Sequence, residues 1–531
     1  MPNKLKKIIV LLIAFAMLLA LLAACGDNSD DNEEIPAESV QGSNIGETIK
    51  DITAADDVFS LNSDQSGTFN PYTDTSALNQ LFMPLIYEPL FEVDGNFNVT
   101  PKLIKSYSSE DGKSWTFYVD TDVKFQDGSN LTAHDAAYSL IRAMRGGEYS
   151  DRLSNVYGVT ALDDELFLVN LYEADMQFPA LLNIPVVKNG SLSETAPPGT
   201  GPYEYNDDHT ALVLWTDHPK AAEMPIDTIY LKEYTSPEAT ISAFEDSSID
   251  LVQNDPTGLR DLGYGSANEK RYCNTTNLHY IGFNQESAFF CYPKFRYFFT
   301  YAINRENIVT ELMNGCATAC TMPISPLSAL YNQSYGQSFD YNMEKAATSL
   351  KNAGAEDLDA DGKLEFTLGS TMVDIKLDFL VCGDTASKVA AARDIAQNLE
   401  ALGLEVNLRE LSWEDYKTAL EEGDYDMYYA EVKLSANFNL TKLLTEDGSL
   451  NFGGISDPGY ETYINDYLSA GDEDRQMYCD LMCKYVLDTA PIVPICFEKT
   501  EVLTHRNVVN GASPTQYNIF NAFENWTINL D

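Results

Sequence analysis

Alternating hydrophobic and polar positions predict two strands and a helix between residues 114 and 145. In "WTFYVD", Trp115, Phe117 and Val119 alternate with more polar residues, which is typical of a strand with one buried face. "VKFQDG" follows as a second predicted strand that ends in an Asp-Gly turn. "LTAHDAAYSLIRAM" has a helical pattern, and Thr132 with Asp135 predicts a capping box at its start.

The pattern between residues 375 and 435 predicts the order β-α-β-α-β. The predicted strands are "IKLDFLVCG", "LEVNLREL" and "YDMYYAEV", and the predicted helices are "ASKVAAARDIAQNLEALG" and "SWEDYKTALEEG". The apolar stripe of the first helix consists of Val389, Ala392, Ile395, Leu399 and Leu402. This order requires a parallel sheet with right-handed crossovers. Since ligands of open α/β sheets bind beyond the carboxyl ends of strands, the loop after "YDMYYAEV" is a candidate binding segment.

The amino-terminal segment predicts an exported protein. A few lysines, a long uncharged apolar run and two alanines precede Cys25, so residues 1–24 have the pattern of a secretory signal peptide. The segment "LAAC" resembles the lipobox of bacterial lipoproteins, which implies cleavage before Cys25 and acylation of this cysteine by lipids such as palmitate. An ordinary signal peptide and a short anchor helix are the alternatives. Residues 25–50 are acidic and polar, and we expect a flexible stalk.

Charge and composition exclude several classes of protein. The chain has 81 acidic and 34 basic residues and a formal net charge of −47. Such a field repels nucleic acid, whose binding depends on cationic contacts. A hydrophobic content of 44% is typical of a globular protein. We therefore expect an acidic globular protein with no nucleic-acid partner. A monomer is expected as well.

The eight cysteines after Cys25 do not form a zinc-binding pattern, because the chain contains no C-x-x-C. Their scattered positions are unlike a dense disulfide framework. We expect buried thiols, and one or two disulfides remain an alternative in an exported protein.

Candidate metal and catalytic motifs are few. Asp357, Asp359, Asp361 and Gly362 match the start of an EF-hand loop, but the twelfth position is Leu368 instead of glutamate. An acidic turn before a strand and a weak surface calcium site are the two interpretations. The five histidines are not spaced as zinc ligands, and no motif for nucleotide binding or hydrolysis is present. The sequence therefore predicts no enzyme activity and no cofactor, and it assigns no metal ligand, with the weak calcium site left as an alternative.

Several spaced blocks resemble family 5 of the bacterial extracellular solute-binding proteins, which serve ABC importers of oligopeptides, dipeptides and nickel complexes. The first block is "YEPLFEVDGNFNVTPKLIKSYSSEDGKSWTFYVDTDVKFQDGSNLTAHDAAYSL". The others follow in the family's order: "PPGTGPYEY", "LHYIGFNQES" with "KFRYFFTYAINRENIV", "YDMYY" and "APIVPICF". The resemblance covers residues 55–531.

The resemblance implies an α/β fold with two lobes that close like a clamshell, as in periplasmic binding proteins, and an extra subdomain inserted in lobe one. The implied boundaries are 51–284 for lobe one with the insertion at about 91–199, 285–493 for lobe two, and 494–531 for the return to lobe one. Crossover segments are expected near 280–285 and 491–497. Gly199 and Gly201 of "GTGPY" are interpreted as turn residues that lead the chain back into lobe one.

The family's usual peptide-binding motif is absent. Peptide-binding members place Trp-x-x-Asp after the strand that matches "YDMYY", whereas Ser435 stands here where the aspartate would fall. Glu431 could bind a ligand ammonium group instead, or be a surface charge. Lys433 could pair with a ligand carboxylate or with Glu431. The expected ligand-binding residues are Asn70, Tyr72, Asn284, Tyr429, Glu431, Lys433, Asn437 and Phe438. For the aromatic members, a place in the core is the alternative.

The resulting hypothesis is a lipid-anchored receptor on the outer face of the bacterial cytoplasmic membrane. It would capture oligopeptides between its lobes and deliver them to the permease of an ABC importer. The alternatives are the same receptor role for a nickel chelate, another small solute or a signalling peptide, and finally a secreted hydrolase.

Overall fold

The computed structural model describes residues 56–257, 263, 268–368 and 370–530. The expected signal peptide, Cys25 and the stalk lie outside the described residues. Within the described part, no helix combines the length and the apolar character that a membrane crossing requires.

The strands are short except for two. In chain order they are β1 Phe59–Asn62, β2 Phe91–Val93, β3 Val99–Pro101, β4 Ile104–Ser108, β5 Ser114–Val119, β6 Val156–Ala161, β7 Leu166–Leu171, β8 Tyr203–Tyr205, β9 Ala211–Leu214, β10 Thr228–Lys232, β11 Leu251–Asn254, β12 Glu269–Phe283, β13 Ala317–Ala319, β14 Ala355–Glu356, β15 Glu365–Leu368, β16 Thr371–Asp374, β17 Lys376–Cys382, β18 Glu405–Leu411, β19 Met427–Lys433, β20 Ile492–Thr504, β21 Val509–Asn510 and β22 Thr527–Ile528.

The α-helices lie mostly in the second half of the chain. In chain order they are α1 Ala77–Phe82, α2 Ala133–Ala143, α3 Pro237–Glu245, α4 Pro293–Tyr297, α5 Phe299–Ala302, α6 Arg305–Asn307, α7 Gln333–Ser338, α8 Met343–Ala353, α9 Ala386–Ala401, α10 Trp413–Glu422, α11 Thr441–Leu444, α12 Pro458–Ser469 and α13 Arg475–Thr489. One π-helical segment, Ile308–Leu312, continues α6, and short 3₁₀ turns occur at Met83–Leu85, Phe178–Leu181, Ala221–Glu223 and Phe523–Asn525.

One mixed sheet runs through the molecule in the order β18-β17-β19-β12-β20-β11-β1-β10-β9-β8, and β13 also pairs with β20. The long antiparallel strands β12 and β20 form its centre. The second half of β12 pairs with β19, and the end of β20 pairs with β11. The pairing of β12 with β20 shifts register between Asn274 and Leu278. This irregularity lies where the part of β12 that also pairs with β19 begins.

Residues 375–435 form the predicted β-α-β-α-β unit. The strands β17, β18 and β19 are parallel neighbours, and α9 and α10 connect them. Four of the five stripe residues of α9 are buried, and Leu402 packs at the margin of the same core. Apolar side chains cover both faces of this part of the sheet. The prediction is confirmed because a sheet that is buried on both faces leaves a clear periodic pattern in its strands and helices.

A separate sheet, β4-β5-β7-β6, forms the centre of the segment between residues 90 and 186. The prediction for "WTFYVD" is confirmed, because Trp115, Phe117 and Val119 are buried on one face of β5. The capping box is confirmed as well, since the backbone N–H of Thr132 donates to the Asp135 carboxylate at 2.8 Å. The second predicted strand, "VKFQDG", is wrong. It forms only an isolated bridge between Lys124 and Asn130, around a tight turn.

All eight cysteines after Cys25 are free thiols, and six of them are buried. This agrees with the expectation of buried thiols, and the alternative of one or two disulfides is not realised in the structure.

Candidate ligand-binding site

Charged side chains converge where β19, β12 and β20 lie side by side at the centre of the sheet. His279 on β12 is the register partner of Glu431 on β19 and of Cys496 on β20. Glu498 follows Cys496 by two residues and therefore faces the same side of the sheet. Three titratable side chains from three strands thus meet on one face. We call His279, Glu431 and Glu498, with the neighbouring Asn277 and Lys388, the junction cluster.

Hydrogen bonds hold the two carboxylates of the junction cluster together. The Asn277 amide donates to Glu431 Oε1 at 2.9 Å and to Glu498 Oε2 at 3.2 Å. The Thr257 hydroxyl donates to the other oxygen of Glu498. His279 Nδ1 lies 3.0 Å from the Tyr429 hydroxyl. His279 Nε2 faces the carboxylates at 3.6 Å from Glu498 and 3.8 Å from Glu431.

The first turn of α9, the helix between β17 and β18, adds Lys388 to the cluster. Lys388 forms an ion pair with Glu431 at 2.6 Å. The preceding residue, Ser387, donates to the carbonyl oxygen of Thr257 at 2.6 Å. Thr257 follows β11, so α9 contacts chain segments from both halves of the sheet.

The cluster combines buried and accessible charge. The side chains of His279 and Glu498 are 0% and 2% exposed, whereas those of Lys388 and Glu431 are 17% and 23% exposed. An organic ligand that approaches from solvent can therefore contact Glu431 and Lys388, whereas His279 and Glu498 lie beneath them. Burial opposes the ionisation of Glu498, but the adjacent His279 and the Thr257 hydroxyl hold the pKa of its carboxyl well below the usual range.

Three of the predicted binding residues follow one another on the same face of β19. Burial raises the pKa of Tyr429 well above its usual value, so its hydroxyl stays protonated beside His279. Glu431 belongs to the junction cluster. Lys433 is exposed at the end of the strand.

Asn437 and Phe438 contact the segment around β2–β7. The Asn437 amide donates to Asp175 at 2.9 Å, and the Phe438 ring lies 5.2 Å from that of Phe97. Burial raises the pKa of Asp175 to about 7. Nearby, Tyr467 donates to the Asn437 carbonyl at 2.9 Å. These two predicted residues therefore connect separate parts of the fold.

The other three predicted residues are not brought to the cluster, and their side chains bind backbone groups. Asn70 donates to the carbonyls of residues 192 and 194, and Tyr72 donates to the carbonyl of Pro185. Asn284, beyond the far end of β19, donates to the carbonyls of residues 423 and 425. Each of them stabilises a turn or loop, and a role for them in ligand binding stays a prediction.

Sequence reasoning missed His279, Glu498, Asn277 and Lys388. A signal for two of them was present, since His279 and Glu498 are titratable residues within apolar strand segments, "LHYIGF" and "VPICFE". A charged residue in a buried strand requires a partner, which predicts a cluster without naming its other members.

The acidic turn at Asp357, Asp359 and Asp361 precedes β15, as one of the two interpretations expected. The buried carboxylate of Glu365 joins the three aspartates, and one oxygen from each residue lies within 4.8 Å of the others. Glu365 also accepts a hydrogen bond from the backbone N–H of Leu358 at 2.6 Å. This group and the junction cluster are two sets of side chains that could hold a cation.

The chain matches the model of the bacterial extracellular solute-binding proteins, family 5 (middle), over residues 98–438. A protein of Brucella ovis, provisionally named an ABC transporter peptide-binding protein, is 28% identical over 275 residues, which are 47% of this chain and 51% of that protein. The chain thus spans about half the length of this relative. The oligopeptide-binding protein AppA of Bacillus subtilis is 23% identical over 441 residues, 77% of each chain.

Solved structures share the fold. A nickel ABC transporter protein from Bacillus halodurans has a TM-score of 0.71 and 20% identity, with 87% of this chain and 98% of that chain covered. AppA in complex with a nonapeptide has a TM-score of 0.60 and 19% identity over 88% of this chain and 98% of AppA. The expected two-lobed α/β fold is thereby confirmed.

The family is one of binding proteins, in agreement with the expectation that the chain is not an enzyme. Its members are extracellular proteins, as the exported character of the sequence also predicted. Because the family model matches more than half of the chain, this protein belongs to family 5 of the bacterial extracellular solute-binding proteins.

Proposed function

We propose that the protein is the solute-binding component of an ABC importer, that it captures oligopeptides between its two lobes, and that it delivers them to a membrane permease. The observation that carries this proposal is the accessible ion pair of Glu431 and Lys388 at the centre of the sheet. The names of the Brucella and Bacillus relatives support peptides as cargo. The similarity to a nickel-transporter structure keeps a nickel chelate as the second candidate. Another small solute or a signalling peptide would use the same receptor role.

We propose that the ion pair opens to receive both ends of a zwitterionic ligand. An ammonium group of the ligand would replace the Lys388 ammonium at the Glu431 carboxylate. Lys388 would then be available to a ligand carboxylate, with Lys433 as a second cation near the end of β19. Charge-assisted hydrogen bonds of this kind are stronger than neutral ones. Tyr429, Asn437 and Phe438 would shape the surrounding surface.

We also propose the division into lobes. Lobe one comprises 51–284 with the inserted subdomain at 91–199, lobe two comprises 285–493, and residues 494–531 return to lobe one. The register break of β12 near residues 274–278, opposite Glu498, is the proposed hinge, because irregular pairing bends a strand locally. Ligand contacts made by both lobes only in the closed state would favour closure.

A mixed library of short peptides should stabilise the purified full chain. At a ligand concentration of about 100 Kd the free energy of unfolding should rise by about 2.7 kcal/mol, because the ligand binds the folded state alone. Thermal melting and calorimetry in the presence of EDTA measure this effect. The absence of both heat and a melting shift would remove peptides as cargo, and binding that EDTA abolishes would favour a metal chelate.

Glu431→Gln should lower the affinity for a peptide identified in this way by about 10-fold or more, because a charged hydrogen bond to the ammonium group is lost. Glu410→Gln is the matched control, since Glu410 lies on the edge strand β18 and its substitution removes the ion pair with Arg393 on α9. Equal affinities of the two variants would contradict the role of Glu431. Calorimetry on both variants provides the comparison.

We further propose that Cys25 anchors the mature protein through attached acyl chains. Cys25→Ala should move the protein from the membrane fraction into the medium or periplasm, or leave the unprocessed precursor. Each buried methylene of an acyl chain contributes about 0.8 kcal/mol to membrane attachment. Cell fractionation followed by mass spectrometry of the amino terminus tests this. The proposal is contradicted if the Cys25→Ala protein stays in the membrane fraction and carries the same added acyl mass as the wild type.

A further inference from the structure

The junction cluster contains a set of donor atoms that is typical of a metal site. His279, Glu431 and Glu498 each offer one atom, and these three atoms lie within 4.8 Å of one another. We propose that they bind one divalent transition-metal ion of the zinc, nickel or cobalt class directly, through His279 Nε2 and one oxygen of each carboxylate. This site requires no organic chelator and does not depend on the proposed peptide cargo.

The separations between the donor atoms suit a shared cation better than direct hydrogen bonds. His279 Nε2 lies 3.6 Å from Glu498 Oε2 and 3.8 Å from Glu431 Oε2, too far for an N–H···O bond. Ligands about 2.1 Å from a tetrahedral zinc ion are about 3.4 Å apart. The two histidine–carboxylate separations are therefore within a few tenths of an ångström of this value.

The inner nitrogen of His279 is a buried polar atom without a hydrogen-bond partner in the structure. Its other ring nitrogen, Nδ1, lies 3.0 Å from the Tyr429 hydroxyl, whose oxygen can accept a hydrogen bond from Nδ1–H. In the neutral tautomer with its proton on Nδ1, the lone pair of Nε2 faces the two carboxylates, and a bound metal ion would take the place of the positive charge of a protonated imidazole. A second hydrogen bond that orients the ring in this way is a usual feature of histidines that bind metals. An electropositive group between Nε2 and the carboxylates would remove the repulsion between these three acceptors.

The carboxylates are already held in place. Asn277 donates to an oxygen of each, and Thr257 donates to Glu498. Lys388 is a competing cation, since its ammonium group lies 2.6 Å from the same oxygen of Glu431 that faces His279. A bound metal ion would displace Lys388 from this oxygen. One imidazole with two carboxylates favours zinc, nickel or cobalt over calcium and magnesium, which prefer oxygen ligands alone.

The test uses the full chain, stripped of metal with EDTA and dialysed. Calorimetry with Zn²⁺ should show one equivalent bound, and Co²⁺ should produce visible absorption bands of a protein-bound ion. Glu431→Gln and His279→Gln should each lower the affinity by about 100-fold or more, since even the loss of an outer partner of a metal ligand costs 10- to 100-fold. Lys388→Met should raise the affinity because it removes the competing cation.

Asp359→Asn is the matched control, because it changes the other acidic group and should leave the cobalt spectrum unaltered. Because Glu431 is partly exposed, Glu431→Gln keeps the test decisive even if His279→Gln fails to fold. The proposal is overturned if neither the wild type nor Lys388→Met binds Zn²⁺, which would leave a protonated histidine as the cation between the carboxylates. It is equally overturned if binding survives Glu431→Gln and disappears in Asp359→Asn. Peptide binding is measured with EDTA present, so failure of either proposal can be recognised separately.

Discussion

Gly199→Ala should lower the free energy of unfolding by about 3 kcal/mol, because a methyl group has no space at this position. A Cβ atom there would overlap the carbonyl oxygen of Ile86 and lie 2.8 Å from the carbonyl carbon and 2.9 Å from the Tyr87 ring. The clash is with backbone, which cannot move without breaking the hydrogen bond from Gly201 N–H to Ile86 at 2.8 Å. Chemical denaturation of the variant and the wild type measures the difference.

Gly471→Ala is the control for the general effect of adding a methyl group. Nothing lies within 4 Å of a Cβ atom at this position, so its stability should change by less than about 1 kcal/mol. If the two variants were equally stable, the close approach of Gly199 to residues 86 and 87 would not limit the fold.

The stability of the protein should fall between pH 5 and pH 8 through Asp175. Burial raises the pKa of this carboxyl to about 7, so the folded protein holds a proton that the unfolded chain releases near pH 4. The folded state is therefore favoured at low pH, and this advantage is lost as pH rises to about 7. Between pH 5 and pH 8, the free energy of unfolding of Asp175→Asn should rise by about 2–3 kcal/mol relative to that of the wild type. The limiting slope is about 1.4 kcal/mol per pH unit.

The Asp175 carboxyl is buried because Asp175 lies between two parts of the fold. Asn437 and the backbone N–H of Gln177 donate to its carboxyl at 2.9 and 2.8 Å, and Arg475 is the charged group that favours ionisation. Asp207→Asn, at an exposed carboxylate, is the control for the removal of one negative charge. Urea denaturation of the three proteins at pH 5, 6, 7 and 8 measures the effect, and parallel curves for the wild type and Asp175→Asn would refute it.

The local pattern of hydrophobic and polar residues predicted the elements that pack one apolar face against the core. The β-α-β-α-β unit was recognised because α9 and α10 each pack an apolar face against the sheet. The predicted strand "VKFQDG" is instead a turn. Its residue Phe125 is buried, and Lys124 forms only one isolated bridge. Short alternating segments do not distinguish a strand from an extended loop that inserts one aromatic residue into a core.

The glycines of "GTGPY" are needed for a reason other than the predicted turn. Gly199 and Gly201 do not have positive φ angles. They are required because the chain passes close to the backbone of residues 85–87. A contact of this kind depends on a distant segment, so a sequence cannot distinguish it from an ordinary turn.

By itself, the sequence determined the family, the α/β class and the strand that carries Tyr429 and Glu431, because these depend on local periodicity and on blocks of residues in a known order. Only the tertiary structure decided which charges meet Glu431. His279, Glu498 and Lys388 come from different strands and a helix far apart in the chain, and the pairing of β12 with β19 and β20 brings them together. The register of those strands sets the partners of a buried charge, and register is a property of the folded sheet.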